Sequence, residues 1–209
     1  MKNSILFGAA VALLLSLTAC EFGSVPEFKA QGSENGRDWT DLGLPSGTLW
    51  ATCNLGATTP AAAGDYLPGL SEEKRSDNDY VRELMDSEED NLPLEDDMAA
   101  ARWGGGWRTP TADQVKELLR ECTFTWLSKN EYKGYVVTGP NGNRIFLPAA
   151  GVRSDGQVEN FGRIGQYWTI TRDRESSMAS FILNFTMYEC ATASNDWSCC
   201  ISLRPVLKK

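Results

Sequence analysis

Histidine is missing from all 209 residues. Its absence excludes Ser-His-Asp and Cys-His catalysis, and any zinc site that needs imidazole. Cys-x-x-Cys spacing is missing too, so a zinc ribbon or thioredoxin-type redox site has no support. Basic residues are in deficit: 20 Lys and Arg stand against 28 Asp and Glu, a net charge of −8. Nucleic-acid partners require a basic face, which this balance argues against. The apolar run Ile5–Leu17 falls short of the ~20 residues that a bilayer-crossing helix needs. Gly104-Gly105-Gly106 is not followed by Lys-Ser/Thr, so it is no phosphate-binding loop.

What is present suits one globular domain. Hydrophobic residues make up 42% and aromatics 10%, too much for a disordered chain. The N-terminus reads as an address. Lys2 precedes the short apolar run, which closes on Leu17-Thr18-Ala19-Cys20. Small residues before a cysteine resemble a bacterial lipobox. Residues 1–19 are therefore read as a lipoprotein signal peptide, and Cys20 as the lipidated first residue of the mature chain. Acyl chains there would make the membrane a partner through N-terminal lipid. Residues 20–37 are polar and rich in Gly and Ser, and are expected to form a flexible tether. The domain is expected over 38–209.

Charge is segregated within it. Residues 71–97 hold 12 acids and 3 bases. With Lys2 set aside, the remainder balances at 16 against 16. This insert is expected to be a solvated loop with a helical turn or two around Tyr80–Met85. Carboxylates also suit calcium, but no EF-hand spacing is present.

One helix is well signalled, over about 111–122. Thr111 can cap with Gln114 at the capping-box position, and Val115, Leu118, Leu119 and Cys122 follow on one face. Asn141-Gly142 between Tyr135–Thr138 and Arg144–Leu147 signals a hairpin. Short strands are expected around Leu44-Pro45-Ser46-Gly47, and at Gln166–Thr171, Phe181–Tyr188 and Ile201–Val206. In the third of these, Phe181, Leu183, Phe185 and Met187 share one face, and Ile182, Asn184, Thr186 and Tyr188 the other. Five cysteines remain beyond Cys20. Their odd number leaves at least one free or paired between chains.

Several strings, among them LGLPSGTLWATCNLGA (42–57), EDDMAAARWGGGWRTPT (95–111), GYVVTGPNGNRIFLPAAG (134–151), GQYW (165–168) and LRPV (203–206), are similar to the Fibrobacter succinogenes major paralogous domain. That domain is common in lipoproteins and surface proteins of Bacteroidetes. The resemblance covers about residues 40–207. It implies an α+β, C-type-lectin-like fold with small antiparallel sheets and long loops, and a disulfide between Cys53 and Cys122. It brings no catalytic residues, no metal and no cofactor. The implied location is the cell envelope, lipid-anchored to the outer membrane and facing outward.

Segment 169–202 mixes Met, Tyr, Trp and Cys among charged residues. It resembles the variable region of proteins diversified by retroelements, in which a lectin-like scaffold carries randomised ligand contacts. Large side chains of this kind give much contact area per residue. Arg172, Arg174, Tyr188, Asn195 and Trp197 are the candidate ligand-binding residues, expected to lie exposed and near one another. The expected function is non-catalytic binding of a protein or glycan through this C-terminal face. A structural or pilus-associated subunit is the alternative. A copper-dependent cysteine oxidase is a minor one, resting on adjacent Cys199 and Cys200 and on fold analogy.

Overall fold

A computed structural model describes residues 25–176 and 178–208. The signal peptide, Cys20 and the first part of the expected tether lie outside these residues. The fold mixes helix with small antiparallel sheets.

Alternating and β-branched runs form the strands. β1 (Gly32–Glu34), β2 (Arg37–Asp41), β3 (Thr48–Ala51) and β12 (Val206–Lys208) make one sheet in that spatial order. A second joins β4 (Thr123–Lys129), β5 (Tyr132–Thr138) and β6 (Arg144–Pro148), the last two connected by the Asn-Gly turn. β7 (Val152–Ser154) and β8 (Gln157–Glu159) form a small hairpin. The third main sheet has β10 (Ala179–Phe185) between β9 (Gly165–Arg172) and β11 (Cys190–Asp196). The segment expected as a strand at Ile201–Val206 makes only isolated bridges until Val206.

The helices number four among the described residues, against the one clear helix and the turn or two around Tyr80–Met85 that were expected. α4 (Ala112–Glu121) matches the sequence signal, with the Thr111–Gln114 capping box formed. The others are short: α1 (Glu72–Ser76), α2 (Asn78–Asp86) and α3 (Met98–Trp103). Each begins on a side-chain cap, from Ser71, Asp77 and Asp97 respectively. α2 covers the helical turns expected around Tyr80–Met85, and capping by Ser and Asp inside an acidic run adds α1 and α3 to them.

The tether also departs from expectation. Gly32–Glu34 pairs with Arg37–Trp39 through a tight turn at Asn35-Gly36. Phe28 packs on Tyr132 and Phe146 at ring-centroid distances of 5.8 and 5.7 Å. The fold therefore begins before residue 38.

Two hydrophobic cores flank the β9–β10–β11 sheet. Ile182 enters the first with Trp107, Trp168 and Trp197; Leu183 and Phe185 enter the second with Trp50, Tyr167 and Leu118. The alternation read along β10 thus feeds both. Gly165 permits the second: a Cβ there would lie 2.0 Å from the Phe185 ring.

Between the cores lies Arg204, fully buried. Its Nε donates to Asn54 Oδ1 at 2.8 Å, Nη1 to the carbonyls of Ala51 and Thr52 at 2.9 and 3.0 Å, and Nη2 to that of Phe146 at 2.8 Å. Asn54 in turn donates to Ala63 O and to the Tyr167 hydroxyl, which donates to Pro148 O at 2.6 Å. Three sheets are joined by this network. Burial pushes the Arg204 guanidinium pKa down and the Tyr167 phenol up. Removing the guanidinium strands several buried acceptors, each costing about 1–3 kcal/mol. Arg204→Met is expected to lower stability by roughly 3–5 kcal/mol in urea denaturation with the slope unchanged; a shift under about 1 kcal/mol would show the network to be dispensable.

Candidate functional site

The β10–β11 hairpin turns at Thr186–Glu189, where Thr186 N–H donates to Glu189 O at 2.9 Å and Tyr188 N–H to the Thr186 hydroxyl at 3.2 Å. This places the two loop side chains outward: Met187 is 51% exposed and Tyr188 87%. Beside them runs a trough of about 800 Å³, with Trp126 and Ile164 lining it together with Asn160 and Arg163. Trp126 is braced from behind. Its ring meets Tyr135 edge-on at 5.2 Å and Phe185 at 6.5 Å, and Phe185 stacks on Tyr167 at 5.9 Å. Tyr167 ends on the Arg204 network, so the trough wall connects to the rigid interior.

A second depression of about 520 Å³ shares Asn160 and Ile164 with the first and extends to Asn195, Cys199 and Cys200. Side-chain amides are chained along it: Asn195 donates to Gln166 at 3.3 Å, and Gln166 to Asn184 at 3.0 Å. Together the depressions offer an apolar, aromatic end and a polar end, where Arg153 and Asp155 join the amides. That combination suits non-covalent recognition, with aromatic anchors giving area and amides giving orientation.

The expected site residues do not gather as a group. Tyr188 and Asn195 line this continuous surface. Trp197 does not: it is 1% exposed, its Nε1–H donates to Ser180 Oγ at 2.8 Å, and it packs over Gly69 and beside Trp168. Arg172 is 5% exposed. Its guanidinium donates to the carbonyls of Leu84, Ser87 and Glu89 at the end of α2. Arg174 is exposed but sits at the opposite end of β10, donating to Glu88 O at 2.6 Å. Seven extended residues separate the two ends by roughly 20 Å. The expectation of one exposed cluster is thereby corrected. Burial of the Trp197 indole between the sheet and the 67–70 segment, and use of Arg172 as a helix C-terminal partner, remove both from the surface.

Cys53 and Cys122 are also not joined; both are free. Cys53 lines a depression with Arg37, Asp38 and Trp103, whereas Cys122 caps the end of α4 and packs on the second core. Burial, with Glu121 and Glu117 nearby, pushes the Cys122 thiol up to about 11, and burial pushes Cys190 up to about 12. Neither thiol is a thiolate at neutral pH. Cys199 is also shifted up, by burial and then by Asp196 and Cys200, which works against nucleophilic chemistry there.

Sequence reasoning missed Trp126, Asn160, Arg163 and Ile164. Trp126 had a signal, since Thr123-Phe124-Thr125-Trp126 alternates. The loop residues near 160–164 had none, because only the fold brings them beside the hairpin tip.

At the far end of β10 the acidic insert is latched. Arg172 and Arg174 hold its 84–90 carbonyls, and Lys74 bridges Asp96 and Glu95 at 2.5 and 3.1 Å while lying over the Tyr80 ring. A cation at a helix C-terminus also opposes the dipole. Arg172→Met is expected to speed proteolytic cleavage within 84–90 several-fold while the trough residues keep their spectra; unchanged cleavage would contradict the latch. Burial and then the Asp96 carboxylate raise the Tyr80 phenol to about 12. Because the neutral phenol is the form favoured by folding, this contribution is complete below the ordinary value of 10.0 and disappears as pH rises through about 12. A phenolate absorbance titration of Tyr80→Phe against the parent should lose a step near the upper value; loss of a step at the ordinary one would contradict this.

A scan against protein-family models, a search of curated proteins and a search of solved structures each find no match to this chain.

Proposed function

We propose that this chain is a non-catalytic, lipid-anchored binding protein of the cell envelope, facing outward from the outer membrane. In this reading the trough beside Tyr188 holds a protein or glycan ligand. The scaffold is C-type-lectin-like, as the resemblance in 42–57, 95–111 and 134–151 implies, and small antiparallel sheets with long connections agree with it.

One observation carries the binding role. Tyr188 and Met187 stand exposed at a hairpin tip, next to an indole that is itself held rigid from behind. Ordered aromatic surface of this kind loses little entropy on binding. Segment 169–202 then divides in two. Trp197, Leu183, Phe185 and Arg172 belong to the scaffold; Met187, Tyr188 and Asn195 face outward and are the positions free to vary in a diversified protein. The segment read as variable is thus narrower than its sequence suggested.

The test uses the full chain on a glycan array and on a panel of purified cell-surface proteins, beside Tyr188→Ala. The variant is expected to keep the parent melting temperature and to lose about tenfold or more of any retained signal. Equal retention by both chains would overturn the assignment of the trough.

A further inference from the structure

Among the described residues, several outer strands have their edges covered by other parts of the chain. Trp168, Ile170 and Arg172 along β9 donate their N–H groups to the carbonyls of Ser202, Pro110 and Asp90. β12 exchanges hydrogen bonds with Arg108, and Phe146 of β6 accepts from Arg204. Among the described residues, two seven-residue strands keep open outer edges, β4 and β11. β4 carries Lys129, a charge that discourages edge pairing. β11 reads Cys-Ala-Thr-Ala-Ser-Asn-Asp, with no Lys, Arg or Pro and only small side chains over 191–194.

The direction of its free groups follows from the hairpin. Thr186 bonds Glu189 at one end and Trp197 bonds Met178 at the other, so 189, 191, 193, 195 and 197 face β10. Cys190, Thr192, Ser194 and Asp196 turn their N–H and C=O groups outward. Asp196 is occupied, its N–H by the Asn195 side chain at 3.1 Å and its C=O by Cys199 N–H at 3.0 Å; among the described residues the amides of Thr192 and Ser194 meet no partner.

We propose that β11 pairs antiparallel with β11 of a second copy of this chain, with Ala193 on the two-fold axis, extending two three-stranded sheets into one. This goes beyond the binding role and does not depend on it. The register is the one that opposes all seven residues of both strands. It sets Thr192 against Ser194 of the second copy, a hydroxyl pair that supports sheets, and Cys190 against Asp196. No like charges face each other. The acidic inserts lie toward the Asp196 end of each strand, so antiparallel pairing holds them roughly 20 Å or more apart, beyond the screening length at physiological salt. A parallel arrangement would bring them together. Isologous pairing of one edge with itself also closes the assembly at two copies.

Sedimentation of the full chain tests this. The parent is expected to dimerise with rising concentration. Ser194→Pro is expected to stay monomeric with an unchanged far-ultraviolet spectrum, because the amide it removes faces outward. Under mild oxidation Ala193→Cys is expected to give a covalent dimer above the background of the parent's own cysteines, since axis residues in the non-hydrogen-bonded position lie close enough to bridge. Thr125→Cys on the β4 edge should give none. Because Ala193 touches the first core, a mixture of Thr192→Cys and Ser194→Cys chains provides an independent bridge. A monomeric parent, a dimer indifferent to Ser194→Pro, or bridging no better than from β4 would each overturn the proposal.

Discussion

A single guanidinium without a carboxylate among its hydrogen-bond partners holds the interior together. Arg204 donates its hydrogen bonds to the Asn54 side-chain oxygen and to the backbone carbonyls of Ala51, Thr52 and Phe146. Arg is suited to this because its planar fork offers donors in fixed directions and keeps its charge. Desolvation alone would make such a burial costly, and only full satisfaction of the donors makes it tolerable. The dependence extends outward. Asn54 connects to Tyr167, Tyr167 stacks on Phe185, and Phe185 backs Trp126 at the trough. The wall of the candidate site is thus the last member of a chain of contacts that begins in the centre.

The sheet that carries the site is polarised along its strands. At one end Arg172 and Arg174 secure an insert that holds the chain's whole excess of negative charge. At the other, the hairpin tip offers Met187 and Tyr188 to solvent. The tip is therefore separated from the acidic surface by the length of β10. Basic residues in the C-terminal segment that looked like contacts for a partner are contacts for the protein itself.

Much of the architecture was legible where local signals were strong. The capping box fixed α4, Asn-Gly fixed the β5–β6 hairpin, and the alternation along 181–185 distributed Leu183 and Ile182 to opposite cores. At the insert the turns expected around Tyr80–Met85 are present as α2; the rest was hidden, because Ser71 and Asp97 act as caps and carbonyl-binding arginines come from far away in sequence. The tether misled for a related reason: Phe28 finds its aromatic partners only after β5 and β6 have paired. At the site, Tyr188 was expected at the end of a strand; the chain turns at Thr186–Glu189 instead, which leaves Tyr188 at a hairpin tip. Trp197 misled, since a Trp beside Asn and Asp reads as surface until the 67–70 segment is laid over it. The expected Cys53–Cys122 pair rested on the resemblance and on the place of Cys122 on the buried face of its helix, and the two thiols occupy different surroundings here.

Native-state hydrogen exchange on the full chain tests the central claim most directly. If Arg204 ties the sheets into one cooperative unit, the amides of 49–51, 145–147, 166–168 and 182–184 should exchange at one common rate set by global unfolding, while 72–90 exchange faster. Separate protection levels for those four strand segments would mean that the sheets open independently, and that the buried guanidinium does not hold the trough in place.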